Sequence, residues 1–197
     1  MLKLYRGEYS TNVERVALAL AHKRLEVESV WIDWNDRSPV EQVSGQPLVP
    51  VLVDGERVVI DSMEILLYLE DLHPEPPRYP DDRARREEML IFIDWFNRVW
   101  KVWPNAIEAG EDIDGSAAAM RESLERFESL LAGRDHLMGG DFSAADCAVF
   151  PFLKYGLLAP EPDDDEPFHA ILHEHLGLGD HPRIGRWVRR VDERPRA

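Results

Sequence analysis

The pattern of apolar and polar positions divides the chain into two parts with different periods. In the first part, short alternating or β-branched runs predict strands, and one stripe with a helical period predicts a helix between the first two strands. The predicted strands are 2–5, 27–32, 51–53 and 58–60, and the helical stripe runs from Val13 to Ala21. The last two strands are joined by Asp54-Gly55, a dipeptide typical of hairpin turns.

This order of elements predicts a small α/β domain. A β-α-β start implies a parallel pair of strands, whereas the hairpin implies an antiparallel pair. A short irregular segment separates the second and third strands, and a helix follows from Asp61-Ser62. We therefore expect a mixed, four-stranded sheet covered by helices.

A proline-rich segment marks the best domain boundary in the chain. Residues 73–80 contain four prolines, which neither a helix nor a central strand tolerates. The prediction is a first domain at 1–72, a linker at 73–80 and an all-helical domain at 81–197. Its helices are expected at 81–103, ended by Pro104, at 116–132, from Ser143 onward, and at 182–192.

The net charge and the cysteine content limit the binding partners and the cellular compartment that we expect for this protein. The formal net charge is −15, and such a field repels phosphate backbones and anionic lipid. We therefore expect neither nucleic acid nor a membrane surface as the main partner. The one cysteine, Cys147, permits no intrachain disulfide, and the amino terminus lacks an apolar export segment. Both features favour a cytoplasmic location.

Two hydroxyl groups stand where backbone N–H groups favour an anion. Ser10 lies between the first strand and the first helix, and Ser62 opens the helix after the hairpin. Each is also an ordinary helix cap, and alone Ser62 is best interpreted as one. Tyr9 and Thr11 carry hydroxyls one residue from Ser10, so the register of a catalytic hydroxyl stays open.

The order of these features resembles the glutathione S-transferase superfamily, across nearly the whole chain. The motifs that carry the resemblance are Leu4-Tyr5 followed by 10–23, Val49-Pro50 before the third strand, Asp61-Ser62, residues 140–146 and residues 181–195. The resemblance implies a thioredoxin-like first domain and a helical-bundle second domain.

The resemblance also implies roles for individual residues. Ser10 would polarise the thiol of glutathione, the co-substrate. The Val49–Pro50 bond would be cis and would turn the Val49 backbone toward the cysteinyl part. Ser62 would hold the γ-glutamyl carboxylate and Asp61 the ammonium. The second domain would hold a small apolar electrophile, two copies would form a homodimer, and the reaction would be of the detoxifying kind, without a metal.

Two residues depart from the pattern of the superfamily. Leu48 is an apolar side chain directly before Val49, and Asp61 replaces the more usual Glu or Gln. Both changes leave open a non-catalytic binding or protein-interaction module of the same fold. A glutathione-dependent isomerase is a third possibility that the serine permits.

The other candidate residues have simpler interpretations. Residues 143–146 form a capping box with a structural role, and Cys147 is expected in the core. An aromatic stripe, formed by Trp95, Phe96, Trp100 and Trp103, is interpreted as part of the hydrophobic core in preference to an electrophile pocket. His169, His173 and His175 are interpreted as surface histidines rather than metal ligands, and the acidic stretch 161–166 as a solvated loop.

Overall fold

The computed structural model describes residues 1–197 and divides into two units. The first unit comprises 1–78 with 194–197, and the second comprises 79–193. The break falls inside the predicted linker. The last four residues differ from the expected boundary, because Ala197 accepts a hydrogen bond from Arg6 and Arg196 pairs with Glu14, both in the first unit.

The first unit contains the predicted mixed sheet. Its elements are β1 (Leu2–Arg6), α1 (Thr11–His22), β2 (Val27–Trp31), α2 (Ser38–Ser44), β3 (Val51–Asp54), β4 (Arg57–Ile60) and α3 (Ser62–Leu72). The strand order is β2-β1-β3-β4; β1 and β2 are parallel, and the other two pairs are antiparallel. The α1 helix packs on α3, and buried apolar side chains such as Leu4, Leu20, Leu52 and Ile65 fill this core.

The sequence predicts an irregular segment between β2 and β3. In the structure this segment contains the helix α2, so the prediction is wrong there. This helix has seven residues and buries only Val40, so it leaves no apolar stripe in the sequence. Pro39 lies in the first turn of α2, where a backbone N–H group would have no acceptor within the helix and its absence costs nothing. Gly45 ends the helix with a φ of +76°.

A buried ion cluster fastens the proline segment to the first unit. The ammonium of Lys23 lies 2.9 Å from a carboxylate oxygen of Glu70 and donates to the carbonyls of His73, Pro74 and Pro76. Arg78 pairs with the same carboxylate. Burial lowers the pKa of Lys23, an effect that its bond to Glu70 only partly offsets.

The second unit is entirely helical. Its elements are α4 (Arg83–Trp95), a π-helical turn (Phe96–Trp100), α5 (Val102–Glu108), α6 (Ile113–Leu130), α7 (Ala144–Leu153), a 3₁₀ turn (Lys154–Gly156), α8 (Pro167–His175) and α9 (Pro182–Asp192). None of the helices has the length and apolar content needed to cross a bilayer.

Pro104 does not end the first helix of this unit, which corrects the sequence prediction. Instead α4 passes into a π-turn closed by the Lys101 N–H and the Phe96 carbonyl at 3.0 Å. The chain then starts α5 at Val102, and Pro104 is its third residue. There the missing N–H costs nothing, because first-turn N–H groups have no acceptor within the helix.

The predicted capping box is confirmed at the start of α7. The Asp146 carboxylate is fully buried and accepts hydrogen bonds from the Ser143 N–H and hydroxyl, the Leu137 N–H and the Trp187 indole. Burial alone would raise the pKa of Asp146, but the neighbouring His136 and these donors bring it below its ordinary value. Cys147, the next residue, is fully buried as expected.

Candidate functional site

The register of the sheet brings three predicted site segments to the same end. Tyr5 of β1 pairs with Val51 of β3, and Val51 pairs with Ile60 of β4. Consequently the chain leaves β1, enters β3 and leaves β4 at one edge. Ser10 follows β1, Val49-Pro50 precede β3, and Asp61-Ser62 follow β4, so these segments are neighbours in the fold.

Ser10 is the N-cap of α1. Its hydroxyl oxygen accepts a hydrogen bond from the Val13 N–H at 3.3 Å, and its side chain is half-buried. A hydroxyl has one proton and two lone pairs. The cap uses a lone pair, so the proton remains for an anion at the positive end of the helix dipole.

The neighbouring hydroxyls have different surroundings. Tyr9 has a φ of +58°, in the left-handed region, and forms the sharp bend before the helix. Thr11 is the first residue of α1 and is buried. Of the three positions, Ser10 combines partial exposure with a cap geometry that leaves its proton free.

The Val49–Pro50 peptide bond is cis, as the resemblance implied. Pro50 is buried and β3 begins at the following residue, so Val49 lies outside the sheet. No hydrogen bond within the chain uses the N–H or C=O of Val49, and both groups are available to a ligand. Leu48, the apolar departure, is 64% exposed beside them.

Asp61 and Ser62 divide two tasks at the start of α3. Asp61 has a φ of +68°, and its Oδ1 caps the helix by accepting from the Met63 and Glu64 N–H groups at 2.8 and 3.3 Å. Both bonds end on Oδ1, which leaves Oδ2 for a cation. Because Asp61 caps the helix, the hydroxyl of Ser62 is not needed for that purpose.

Arg15 is a further candidate residue, which the motifs in the sequence did not include. Its side chain is 2% exposed, and its Nη1 donates to the Ser62 Oγ at 3.3 Å. This bond links α1 to α3 and occupies a lone pair of the Ser62 hydroxyl, so the hydroxyl proton points elsewhere. The signal in the sequence was its position: Arg15 directly precedes the uninterrupted apolar run 16–20, within a helix that is buried on nearly all sides.

The electrostatics of this edge favour an anionic ligand group. The N-termini of α1 and α3 both start there, and each helix terminus carries a partial positive charge. The buried guanidinium of Arg15 is cationic and donates to the Ser62 hydroxyl at the start of α3. A carboxylate or thiolate would therefore be stabilised at this edge.

The histidines of α8 form no metal site, and no cluster of three or more His, Cys, Asp or Glu side chains could hold an ion. The expectation that His169 lies on the surface is wrong. His169 is 3% exposed, stacks on Tyr155 at 4.6 Å and lies 2.7 Å from an oxygen of Asp164. The acidic loop is thus only partly solvated, because Asp164 pairs inward with this imidazole.

The aromatic stripe mainly builds the core of the second unit. Phe96 and Trp100 are fully buried and stack at 4.7 Å, and the Trp100 indole donates to the Ser123 hydroxyl at 2.8 Å. Trp95 and Trp103 are half-buried. The core interpretation therefore holds for the two buried members.

Comparisons with known proteins agree with the motifs. The family models for the N-terminal and C-terminal domains of glutathione S-transferase match residues 4–77 and 93–190. Glutathione S-transferase Z2 from Arabidopsis thaliana is 39% identical over 209 residues, which cover 98% of this chain and 87% of the relative. A stringent starvation protein A homologue from Coxiella burnetii is 24% identical, covering 78% of this chain and 75% of the relative.

Solved structures share the fold. A glutathione S-transferase from Rhodospirillum rubrum F11 has a TM-score of 0.78 at 25% identity, and the match covers 99% of this chain and 89% of that one. The β-etherase LigF from Sphingobium sp. strain SYK-6 has the same TM-score at 21% identity, with 98% and 96% covered, which shows the fold alone. The chain belongs to the glutathione S-transferase superfamily, with a thioredoxin-like N-terminal domain and a helical C-terminal domain.

Proposed function

We propose that this protein is a glutathione-dependent transferase that activates the glutathione thiol for attack on a small apolar electrophile. The observation that carries the proposal is the shared edge of the sheet, where Ser10, Val49 and Ser62 follow from the strand register. Each of the three offers a hydrogen-bonding group suited to a different part of glutathione.

At the thiol end, Ser10 would stabilise the thiolate. A free thiol has a pKa of about 8.5, so only a few per cent is ionised at neutral pH. The Ser10 hydroxyl donates to sulfur while its lone pair keeps the α1 cap, and the helix dipole adds to the effect. The thiol proton leaves to solvent, and the sulfur electron pair forms a bond to an electrophilic carbon. The bond from that carbon to the leaving group breaks, and the leaving group departs with the electron pair of that bond.

At the other end, the glutamyl part would be held by three groups. The hydroxyl of Ser62, oriented by Arg15, donates to the carboxylate. Oδ2 of Asp61 accepts from the ammonium, at a reach one methylene shorter than a glutamate would give. Between the two ends, the Val49 N–H and C=O would pair with the cysteinyl backbone, and the cis bond to Pro50 supports this orientation.

A non-catalytic binding or interaction module is the second candidate, and exposed Leu48 favours it. An apolar side chain that is 64% exposed beside the Val49 backbone gives no polar contact to a hydrophilic tripeptide. An isomerase that recycles glutathione uses the same serine and differs only in the second substrate. Homodimerisation and a cytoplasmic location belong to the same proposal, and the buried, reduced Cys147 is compatible with that location.

Calorimetric titration with glutathione at pH 6.5 and 8 tests the proposal. We expect the wild type to bind and to release a proton as the bound thiol ionises. Ser10→Ala should bind with similar affinity but lose the release at pH 6.5. Ser10→Asp keeps the helix cap but has no proton to donate, so it separates capping from thiol activation.

Ser129→Ala, an exposed position on α6, is the matched control and should behave as the wild type does. Absence of wild-type binding at millimolar glutathione would eliminate the glutathione enzyme and leave the module. Binding with unchanged proton release in both Ser10 variants would assign thiol activation to another group.

A further inference from the structure

A cavity of about 280 Å³ lies in the second unit, beside α9 and the loop that follows α6. Four arginines line it: Arg134 from the loop, and Arg183, Arg186 and Arg190 from α9. The α9 residues are spaced three and four apart, so they share one face of the helix. The cavity has no part in the proposed thiol chemistry.

The arginines are only partly neutralised by the protein. Arg190 lies 2.9 Å from a carboxylate oxygen of Asp135, and Arg183 lies 3.5 Å from one of Glu128. The Arg134 side chain donates only to the Leu137 carbonyl, and the Arg186 side chain has no hydrogen bond or ion pair within the chain. Asp135 is itself one of the lining residues, and the four arginines still outnumber the two carboxylates that pair with them, so the cavity retains a positive excess.

Such a cluster is unusual for this chain. The protein carries a net charge of −15, yet four exposed arginines line one concavity. Like charges one helical turn apart repel each other and destabilise a helix. An anion that bridges the guanidinium groups removes this repulsion, whereas a purely solvated helix face gains nothing from a concave shape.

The chemistry of the donors selects the anion. Guanidinium groups present paired N–H donors that match the oxygens of phosphate in a bidentate manner. Four of them around a small volume suit adjacent phosphate groups better than one carboxylate. The volume is just below the roughly 300 Å³ at which sites for drug-sized ligands begin. A long nucleic acid would extend from the cavity across the surface of a chain with a net charge of −15, and the repulsion of its phosphates disfavours it.

We propose that this arginine cavity binds a small ligand with adjacent phosphate groups, a pyrophosphate or the phosphate tail of a nucleotide. Arg186 is the central residue, because all of its donors are available. Arg134, Arg183 and Arg190 direct their remaining N–H groups to the other oxygens.

The test is calorimetric titration of the full chain with inorganic pyrophosphate, in low salt without divalent metals. We expect saturable binding that weakens as sodium chloride is added. Arg186→Gln should weaken it by about tenfold or more, because charge-assisted bonds are lost. Arg186→Lys should recover only part, because an ammonium cannot bind in a bidentate manner.

Arg189→Gln is the matched control. It removes the same charge from the same helix, but Arg189 donates to the Gly185 carbonyl and does not line the cavity. Its affinity should stay within about twofold of the wild type, as expected for a residue outside the site. An equal loss of pyrophosphate affinity in Arg186→Gln and Arg189→Gln would show that binding depends only on the general positive charge of the helix, and would overturn the proposal.

Titrations with ATP and adenosine identify the source of the phosphate. Affinity for ATP equal to that for pyrophosphate supports recognition of phosphate alone, and tighter binding of ATP supports a nucleotide; adenosine alone should not bind. No pyrophosphate binding at millimolar concentration, or tighter binding of a single-stranded oligonucleotide, refutes the proposal. Glutathione affinity should be unchanged in Arg186→Gln, which keeps this test separate from that of the transferase.

Discussion

Arg15→Gln removes the guanidinium that holds the Ser62 hydroxyl and leaves a side chain that can remain in the helix. In the wild type the two groups are 2% and 4% exposed, so water does not screen their interaction. Their distance of 3.3 Å is long for a hydrogen bond, for which about 2.9 Å is usual. We therefore take the lower end of the range for a bond to a charged group, about 1.5 kcal/mol.

That free energy corresponds to an increase of roughly tenfold in the dissociation constant of glutathione. The increase arises because the Ser62 hydroxyl is free to rotate away from the ligand carboxylate, and because a buried positive charge is lost. Under the proposed function, KM for glutathione should rise by a similar factor while kcat changes little. The pH at which the bound thiol ionises should stay the same, because Arg15 acts at the carboxylate end.

The assay is a double-mutant cycle on glutathione affinity with Arg15→Gln, Ser62→Ala and the combined variant. If Arg15 acts through Ser62, the second substitution adds little to the first, and the coupling free energy is about 1 kcal/mol. Thermal melting of each variant without ligand measures the loss of folding stability separately. Effects that add within about 0.3 kcal/mol would refute the positioning role.

Two further predictions concern stability. Asp146→Asn should lower the free energy of unfolding by about 2–4 kcal/mol, because it alters a buried acceptor of several hydrogen bonds, while exposed Asp141→Asn should change it by less than about 0.5 kcal/mol. The pKa of Asp146 is lower in the folded protein than in the unfolded chain. Its contribution to the free energy of unfolding is therefore fully present above the unfolded pKa and is lost as the pH falls through the folded pKa. Chemical denaturation between pH 7 and 3 should show this loss of stability in the wild type and a smaller loss in Asp146→Asn. Lys23→Met should expose the proline segment to limited proteolysis at residues 73–77, because three carbonyls lose their common donor, whereas exposed Arg24→Met should not.

The sequence predicted the sheet and most helices because their patterns are local. Alternating and β-branched runs predicted the strands, the Asp54-Gly55 turn predicted the hairpin, and the cap at Ser143 predicted the start of α7. The helix α2 was missed because a helix that buries one side chain leaves no periodic signal. The end placed at Pro104 was wrong because local sequence does not reveal that a π-turn restarts the helix.

For the site, the sequence indicated which residues to examine but not how they are connected. Ser10, Val49-Pro50 and Asp61-Ser62 were found through the resemblance, and the strand register explains why three distant segments are neighbours. The bond of Arg15 to Ser62 joins α1 to α3, which are distant in the chain, whereas Asp164 pairs with His169, five residues away, because the loop folds back on α8. A charged side chain in a sequence is expected in solvent, and only the fold shows that these are buried.

The two serines of the proposed site show how capping and binding combine. At α3, Asp61 caps the helix, so the lone pairs of Ser62 are free to accept from Arg15 and its proton is free for a ligand. At α1 Ser10 itself caps the helix, because its hydroxyl oxygen accepts from the Val13 N–H through a lone pair. The hydroxyl proton is not used in this cap. Aspartate would cap α1 as well as serine does. Because it has no proton to donate to an anion at neutral pH, the presence of serine rather than aspartate at position 10 is better explained by ligand binding than by helix stability.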